Sequence, residues 1–424
     1  MYTTVPTSMI RAGAVLKSPI FDENRTMLLA AGLTVTASLL EHVHKRGIRS
    51  VLVARRDLAR VYCVEPRGVS DVALPDRRNV CNRVVTPQTR ALDSELAAMT
   101  DLTAGPQGEP FSLSIHQPGS VPYDSDQQVR FVEEHEASLE QIKTLSGHFS
   151  QRRTPDLKPL EKISSAALSR IVADKDLFVC LGVTPYYTDY PGRHSMHTAS
   201  LAIAMGATLG LDERTLLDLA IGCLLHDFGM TRIDPNTYLT RRRLNDLEFL
   251  EITKHPILTF DMIEQASQHL SARSRMVAYQ IHERSNGTGY PRGRHGDQIH
   301  ELAKIAAVAD TYVALVAPRP HRPGMLPYFA MEKVLHGVND GLYDPRPVRA
   351  LLETVCLFPI GSYVELNDSR VGKVIRSNGQ HYDRPVLEVW KRDELTKEPA
   401  LLDLASDSSY RVTKPVGAGD SSRA

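Results

Sequence analysis

The chain has 424 residues, which is too long for one ordinary hydrophobic core and indicates two or three domains. Lysine and arginine together number 50, and aspartate and glutamate also number 50, so the bulk charge favours neither a nucleic-acid polymer nor an anionic membrane as a partner. The hydrophobic content of 42% and the charged content of 24% are those of an ordinary soluble globular protein.

The five cysteines are widely scattered and form no C-x-x-C pair, which is typical of a reducing cytoplasmic compartment. Residues 1–16 lack the apolar core of a signal peptide. No uninterrupted apolar run reaches the length of a membrane span. We therefore expect a cytoplasmic protein without a membrane span.

The first 66 residues predict a small accessory α/β module. Short apolar runs at 14–16 and 27–30 precede a helical pattern at 36–45, and a strand-like run follows at 48–53. Nothing in this segment looks catalytic. A regulatory or partner-docking role stays open.

Residues 67–123 contain scattered prolines and weak periodicity, which predicts a linker that is partly disordered. Residues 124–150 then follow a helical pattern with a glutamate-rich polar side. This helix is interpreted either as a connector or as the contact of a homodimer, because its apolar repeat is too short to define a coiled coil.

Helical patterns dominate residues 151–355, and alternating patterns predict a small antiparallel β tail over residues 356–413. Residues 414–424 are polar and predict a disordered end. The fold class expected is mainly α: a helical bundle with a small N-terminal α/β module and a short C-terminal antiparallel β segment.

The dipeptide His226-Asp227 ends an apolar run at helical spacing, so it brings an imidazole and a carboxylate to the protein interior. A buried carboxylate needs compensation, and these two groups together are good ligands for iron, manganese or zinc. On the dipeptide alone, a capped helix end with a solvated aspartate is the simpler interpretation.

Four more residues change that judgement, because each lies at the end of or inside an apolar helical pattern. They are His194, His255, His282 and Asp310. Each of the histidines could by itself be a helix-end or surface residue, and Asp310 could be exposed. The full order, with the His226-Asp227 pair second, is far more specific than any one member.

This order, with Gly289-Tyr290-Pro291 following His282-Glu283-Arg284, resembles the HD-GYP subgroup of the HD phosphohydrolase superfamily over residues 150–355. The resemblance implies an HD-type helical bundle that holds two or sometimes three metal ions, often iron or manganese. It also implies hydrolysis of the messenger cyclic di-GMP to pGpG, and often on to GMP.

By matching position, the resemblance assigns catalytic roles to His226 and Asp227 and metal ligation to six residues. These are His194, His226, Asp227, His255, His282 and Asp310. It assigns substrate contact to Arg284, Gly289, Tyr290 and Pro291. Bound cations would lower the pKa of a water molecule and neutralise the phosphoryl oxygens, and Tyr290 would offer an aromatic face to guanine.

Five positions depart from the pattern of that family. Ile281 replaces a histidine, Met230 a lysine, Asn286 an aspartate, Thr259 a glycine and Tyr190 the glutamate of members with three metals. We therefore expect one or two divalent ions and no third.

Three hypotheses follow. The first is a cyclic di-GMP phosphodiesterase with a reduced site. The second is a degenerate domain that binds a nucleotide or a signalling protein without turnover. The third is a hydrolase of another phosphoester.

Overall fold

The structure is a computed structural model. It describes residues 2–7, 10, 15–22, 27–46, 48, 50–54, 57, 94, 108–116, 118–151, 156–183, 189–240, 242, 244–263, 269–319, 322–390 and 399–416. The chain divides into two compact units, Met1–Leu74 and Pro75–Ala424.

The N-terminal unit contains a four-stranded sheet and one helix. Its elements are β1 (Tyr2–Pro6), β2 (Ile20–Asp22), β3 (Met27–Leu29), α1 (Ala37–Lys45) and β4 (Ser50–Ala54). The strand order is β1-β4-β2-β3, and every pairing is antiparallel. The unit has its own apolar core, to which Val5, Val35 and Val51 contribute. The sequence predicts α1, β3 and β4 but misses β1 and β2. Strand β2 has only three residues, and β1 carries threonines and a proline in place of an apolar run.

The second unit is mainly helical. Its helices are α2 (Ser125–Ser150), α3 (Lys158–Ala173), α4 (Lys175–Gly182), α5 (Gly192–Thr208), α6 (Glu213–Leu225), α7 (Pro235–Tyr238), α8 (Asp246–Ile252), α9 (His255–Ile263), α10 (Ala272–Gln280), α11 (Glu301–Val316), α12 (Pro327–Asn339) and α13 (Pro345–Val355). The mainly α fold class is thereby confirmed.

Local chemistry accounts for where several of these helices begin. Asp212 accepts a hydrogen bond from the Thr215 amide at 2.8 Å and so caps α6. Ser271 caps α10 in the same way. Apolar spacing in the sequence predicts α6 and α10 to within about two residues, but it misses α4, α7 and α13. Helix α13 begins at a proline, a residue that is tolerated in the first turn of a helix.

A five-stranded antiparallel sheet completes the second unit. Its strands are β5 (Tyr363–Leu366), β6 (Val371–Arg376), β7 (Val386–Trp390), β8 (Ala400–Asp403) and β9 (Val412–Val416), in the order β8-β7-β6-β5-β9. The sequence predicts β5 to β7. Its expectation of disorder from residue 414 is wrong at the start of that segment, because pairing with β5 extends β9 to Val416.

The sheet and the helices share one apolar core, in which Val364 and Leu387 belong to the same cluster as Leu201. The predicted linker lies largely outside the described residues. Within residues 108–123, a short 3₁₀ helix, Phe111–Ser114, buries Phe111 in that core, so this end of the segment is ordered. Among the helices in the described ranges, none combines the length and apolarity needed to cross a membrane.

Candidate metal centre

The six predicted ligands come together at one place from five separate elements. His194 lies in the first turn of α5, His226 and Asp227 directly follow α6, and His255 begins α9. His282 follows α10, and Asp310 lies within α11. All six side chains are buried. Helix ends and apolar helix faces thus deliver the polar groups to the interior of the bundle.

One half of the cluster is built around Asp310. The Nε2 atom of His194 lies 2.8 Å from Oδ1 of Asp310, and the Nε2 atom of His226 lies 3.8 Å from the same oxygen. His194, His226 and Asp310 therefore offer one nitrogen or oxygen each within the reach of a single cation.

The other half is built around Asp227. Its Oδ1 atom lies 3.2 Å from Nε2 of His255 and 3.9 Å from Nε2 of His282. The two imidazole nitrogens are themselves only 2.9 Å apart, so both point into the same small space. The other oxygen of Asp227, Oδ2, lies 4.0 Å from Nε2 of His194. Asp227 thus lies between the two halves.

Backbone carbonyl groups orient two of the imidazoles. The Nδ1 atom of His226 lies 2.6 Å from the carbonyl oxygen of Cys223, and that of His255 lies 2.7 Å from the carbonyl oxygen of Ile252. Donation from Nδ1–H leaves a lone pair on each Nε2 atom, which is the form that binds a metal. The Nε2 atom of His226 is buried and has no hydrogen-bond partner in the protein. This donor set fits a divalent cation.

The protonation states also fit a cation. Burial raises the pKa of Asp227, but the surrounding imidazoles, first His226 and then His255, outweigh it and bring the pKa below its ordinary value. Burial lowers the pKa of His255 to about 3, and the neighbouring His282 contributes. The carboxylate is therefore charged and this imidazole neutral near neutral pH.

The ligand set is more complete for one ion than for two. His226 belongs to both groups that could hold a metal, His194–His226–Asp310 and His226–Asp227–His282. Its Nδ1 atom is engaged by the carbonyl of Cys223, so only Nε2 is available, and it can serve one ion. A second ion would depend on Asp227, His255 and His282.

Thr259 braces the turn that carries the His226-Asp227 pair. Its hydroxyl donates to the carbonyl oxygen of His226 at 3.0 Å and accepts from the amide of Gly229 at 2.8 Å. Gly229 approaches α9 so closely that a Cβ atom there would lie 2.1 Å from the carbonyl oxygen of His255. The sequence marks Thr259 only as a departure; its bracing role depends on contacts across 30 residues of chain.

The loop after His282 folds back onto its own start. The Tyr290 amide donates to the carbonyl oxygen of His282 at 3.1 Å, and a Cβ atom on Gly289 would lie 2.4 Å from the Arg284 nitrogen. The buried Glu283 carboxylate accepts from the amides of Arg292 and Arg294 at 2.8 and 2.9 Å. Glycine is therefore required at position 289 for close approach.

Tyr290 lies against two of the predicted metal ligands, and its contact with substrate, like that of Gly289 and Pro291, stays a prediction. The ring of Tyr290 stacks on that of His282, with centroids 4.9 Å apart and planes 20° apart. Arg284 instead donates to the carbonyl oxygens of Ile281 and Glu283 and to the Thr311 hydroxyl. These contacts give Arg284 a role in holding the loop, and its contact with substrate stays a prediction.

Sequence reasoning misses a cation next to the cluster. The guanidinium of Arg319 lies 4.5 Å from the centre of the Tyr190 ring, whose centroid is 5.8 Å from that of His194. The sequence marks Tyr190 only as the position of a glutamate in members with three metals, and the residue lies just before the first turn of α5. Arg319 lies in a proline-rich turn with no periodic pattern, so only the fold reveals it.

The residues Ile281, Met230 and Asn286, which depart from the family pattern, are either buried or hydrogen-bonded within the protein. Ile281 and Met230 are 0% and 1% exposed, and Ile281 belongs to the apolar core. The side-chain oxygen of Asn286 accepts from the amide and hydroxyl of Thr288, and its nitrogen donates to the carbonyl of Asp340. These positions supply no charge to the site.

Comparisons with known proteins find similar sequences over the helical part of the second unit. A family model described as "HD domain" matches residues 168–346. The chain is 32% identical over 203 residues to the cyclic di-GMP phosphodiesterase PA4108 of Pseudomonas aeruginosa, a match that covers 48% of each chain.

It is 31% identical over 156 residues to the cyclic di-GMP phosphodiesterase response regulator RpfG of Xanthomonas campestris, covering 37% of this chain and 40% of that protein. It is 28% identical over 183 residues to the 3'3'-cGAMP-specific phosphodiesterase 3 of Vibrio cholerae, covering 42% and 38%. The chain thus spans about half or less of the length of these curated relatives.

Proposed function

We propose that this chain, of which residues 168–346 match the HD-domain family model, is a metal-dependent phosphodiesterase that hydrolyses cyclic di-GMP to pGpG, to GMP or to both. The observation that carries the proposal is the convergence of four imidazoles on Asp227 and Asp310 in one buried cluster. Well-packed apolar side chains would stabilise this core at least as well, so the cluster is better explained by a function than by stability.

The residues present fit one or two divalent ions, and their mixed imidazole and carboxylate donors suit iron, manganese or zinc. The resemblance to the HD-GYP subgroup implies iron or manganese. Bound ions supply Lewis acidity and lower the pKa of water. His194, His226 and Asp310 would hold the first ion, and His255 and His282 the second. Asp227 would contribute its two oxygens to the two halves.

Residues around the cluster would bind the phosphodiester. Arg319 carries a permanent positive charge and is held against Tyr190, so it can pair with the phosphate oxygens where the lysine expected at Met230 is absent. The close fold of the loop at Gly289 holds Tyr290 against His282 and so fixes the orientation of that ligand.

The test is turnover by the full chain loaded with iron or with manganese. We expect cyclic di-GMP to be converted to pGpG or GMP, and Asp227→Ala to remove both turnover and bound metal. Metal content per chain, measured by mass spectrometry, should lie between one and two. Product no greater than that of Asp227→Ala under either metal would refute the proposal.

A second candidate is a binding module without turnover, and the apolar Ile281 and Met230 favour it. Each lost contact with a transition state can reduce the rate by roughly 10²–10³. Tight binding of cyclic di-GMP without product would support this candidate. Absence of both binding and product would exclude it.

The substrate itself needs a separate comparison, because one relative is named for 3'3'-cGAMP. Parallel assays with cyclic di-GMP, 3'3'-cGAMP and simple nucleotides distinguish these substrates. A preference for cyclic di-GMP over both alternatives is the expected result.

A further inference from the structure

An exposed aromatic side chain stands beside the metal cluster. Phe249 lies on α8, in the segment between the predicted ligands Asp227 and His255, and it is 42% exposed. Its ring meets the Tyr290 ring edge-on, with centroids 6.2 Å apart and planes 89° apart. Exposure of one phenylalanine is ordinary, but here the neighbouring ring belongs to the candidate site.

Tyr290 is already occupied as a stacking partner. One face of its ring lies on His282, and its centroid is 5.9 Å from that of His255. The rings therefore form a series that leads outward from the ligands, from His282 through Tyr290 to Phe249. Of these three rings, that of Phe249 is the most exposed.

The backbone that carries Phe249 is firmly held. The side chain of Asn245 accepts from the Glu248 amide at 2.8 Å, and the Glu248 carboxylate accepts from the Asn245 amide at 2.9 Å, which forms a capping box. Arg242 also donates to Glu248 at 2.8 Å. With its backbone held, Phe249 would lose only side-chain freedom when a ligand arrives.

From this geometry we propose that Phe249 is a specificity-determining residue that stacks against a purine base of the substrate. The inference deepens the proposed function and rests on it. The phosphodiester would lie at the metal cluster, and the base would extend past Tyr290 onto the exposed ring. A flat base offers a π face to any aromatic side chain, and such a stack is a common means of holding a nucleotide.

The experiment measures KM and kcat for cyclic di-GMP, or Kd if turnover is absent, in the full metal-loaded chain. Phe249→Leu fills similar space but has no aromatic face, whereas Phe249→Trp keeps that face. We expect Phe249→Leu to raise KM or Kd about 5- to 150-fold, the loss expected for one base stack. Phe249→Trp should stay near the wild type, and neither variant should change kcat or metal content.

Phe329→Ala is the matched control, because Phe329 is similarly exposed at 36% and its ring packs against Tyr328. It should leave KM unchanged. Wild-type KM in Phe249→Leu would overturn the inference while leaving the proposed function intact. Reduced metal content in Phe249→Leu would also overturn it, because Phe249 would then support the ligands and not the base. A wild type that neither binds nor cleaves the dinucleotide would refute both.

Discussion

At the scale of single residues, Thr259 supports the candidate metal site although it is not one of the six predicted ligands. Its hydroxyl donates to the His226 carbonyl oxygen and accepts from the Gly229 amide, and these two groups lie on either side of Asp227. Thr259→Val should leave both groups without this partner and allow the turn to shift. We expect metal affinity to fall about 10- to 100-fold, as for other residues that support ligands.

Isothermal titration calorimetry with the metal measures this loss of affinity. Thr259→Ser is the control because it keeps the hydroxyl. Equal affinity in the valine and serine variants would show that the turn holds its position without the bracing hydroxyl.

At the scale of elements, the loop that follows His282 depends on the absence of a side chain at Gly289. A Cβ atom there would lie 2.5 Å from the Glu283 Cα atom as well as close to the Arg284 nitrogen, so Gly289→Ala must displace the loop. Tyr290 would then lose its stack on His282. A misplacement of about 1 Å can reduce turnover about 100-fold, and we expect a fall in kcat/KM of that order.

Gly147→Ala provides the comparison, since Gly147 lies within α2 and an added Cβ atom there meets nothing within 4 Å. Alanine is favoured over glycine inside a helix by roughly 0.5–1 kcal/mol. Stability should therefore rise slightly in this variant, with activity unchanged. Steady-state kinetics that gave Gly289→Ala the activity of Gly147→Ala would argue against a tightly packed loop.

The same elements show what can be read from the sequence and what cannot. Apolar spacing predicts the helices that carry His194 and Asp310, because this signal is local. The common site of the imidazoles and acids is implied by the resemblance of their order to a known family, since the residues are up to 116 positions apart in sequence. The contribution of Arg319 depends on a turn that folds back against Tyr190, and the exposure of Phe249 depends on packing. Strand β9 is missed because its pairing with β5 spans more than 40 residues.

At the scale of the whole second unit, one buried ion pair joins the C-terminal sheet to the helices. Arg376 on β6 donates to the Asp174 carboxylate at 2.5 Å, where α3 meets α4, and both side chains are almost fully buried. Its Nε atom also donates to the Val121 carbonyl at 3.0 Å. Arg376→Leu would leave the Asp174 charge buried without its partner, which costs about 3–5 kcal/mol.

Denaturant unfolding of Arg376→Leu measures this cost, with Arg349→Leu as the matched control. Arg349 pairs with Glu353 one turn away on α13 and is largely exposed, so its loss should cost only about 0.3–0.5 kcal/mol. Because sheet and helices share one core, the transition of the second unit should move to lower denaturant as a single step in Arg376→Leu, apart from any transition of the N-terminal unit. A transition that splits in two would mean that the sheet folds separately and that the metal centre does not depend on it.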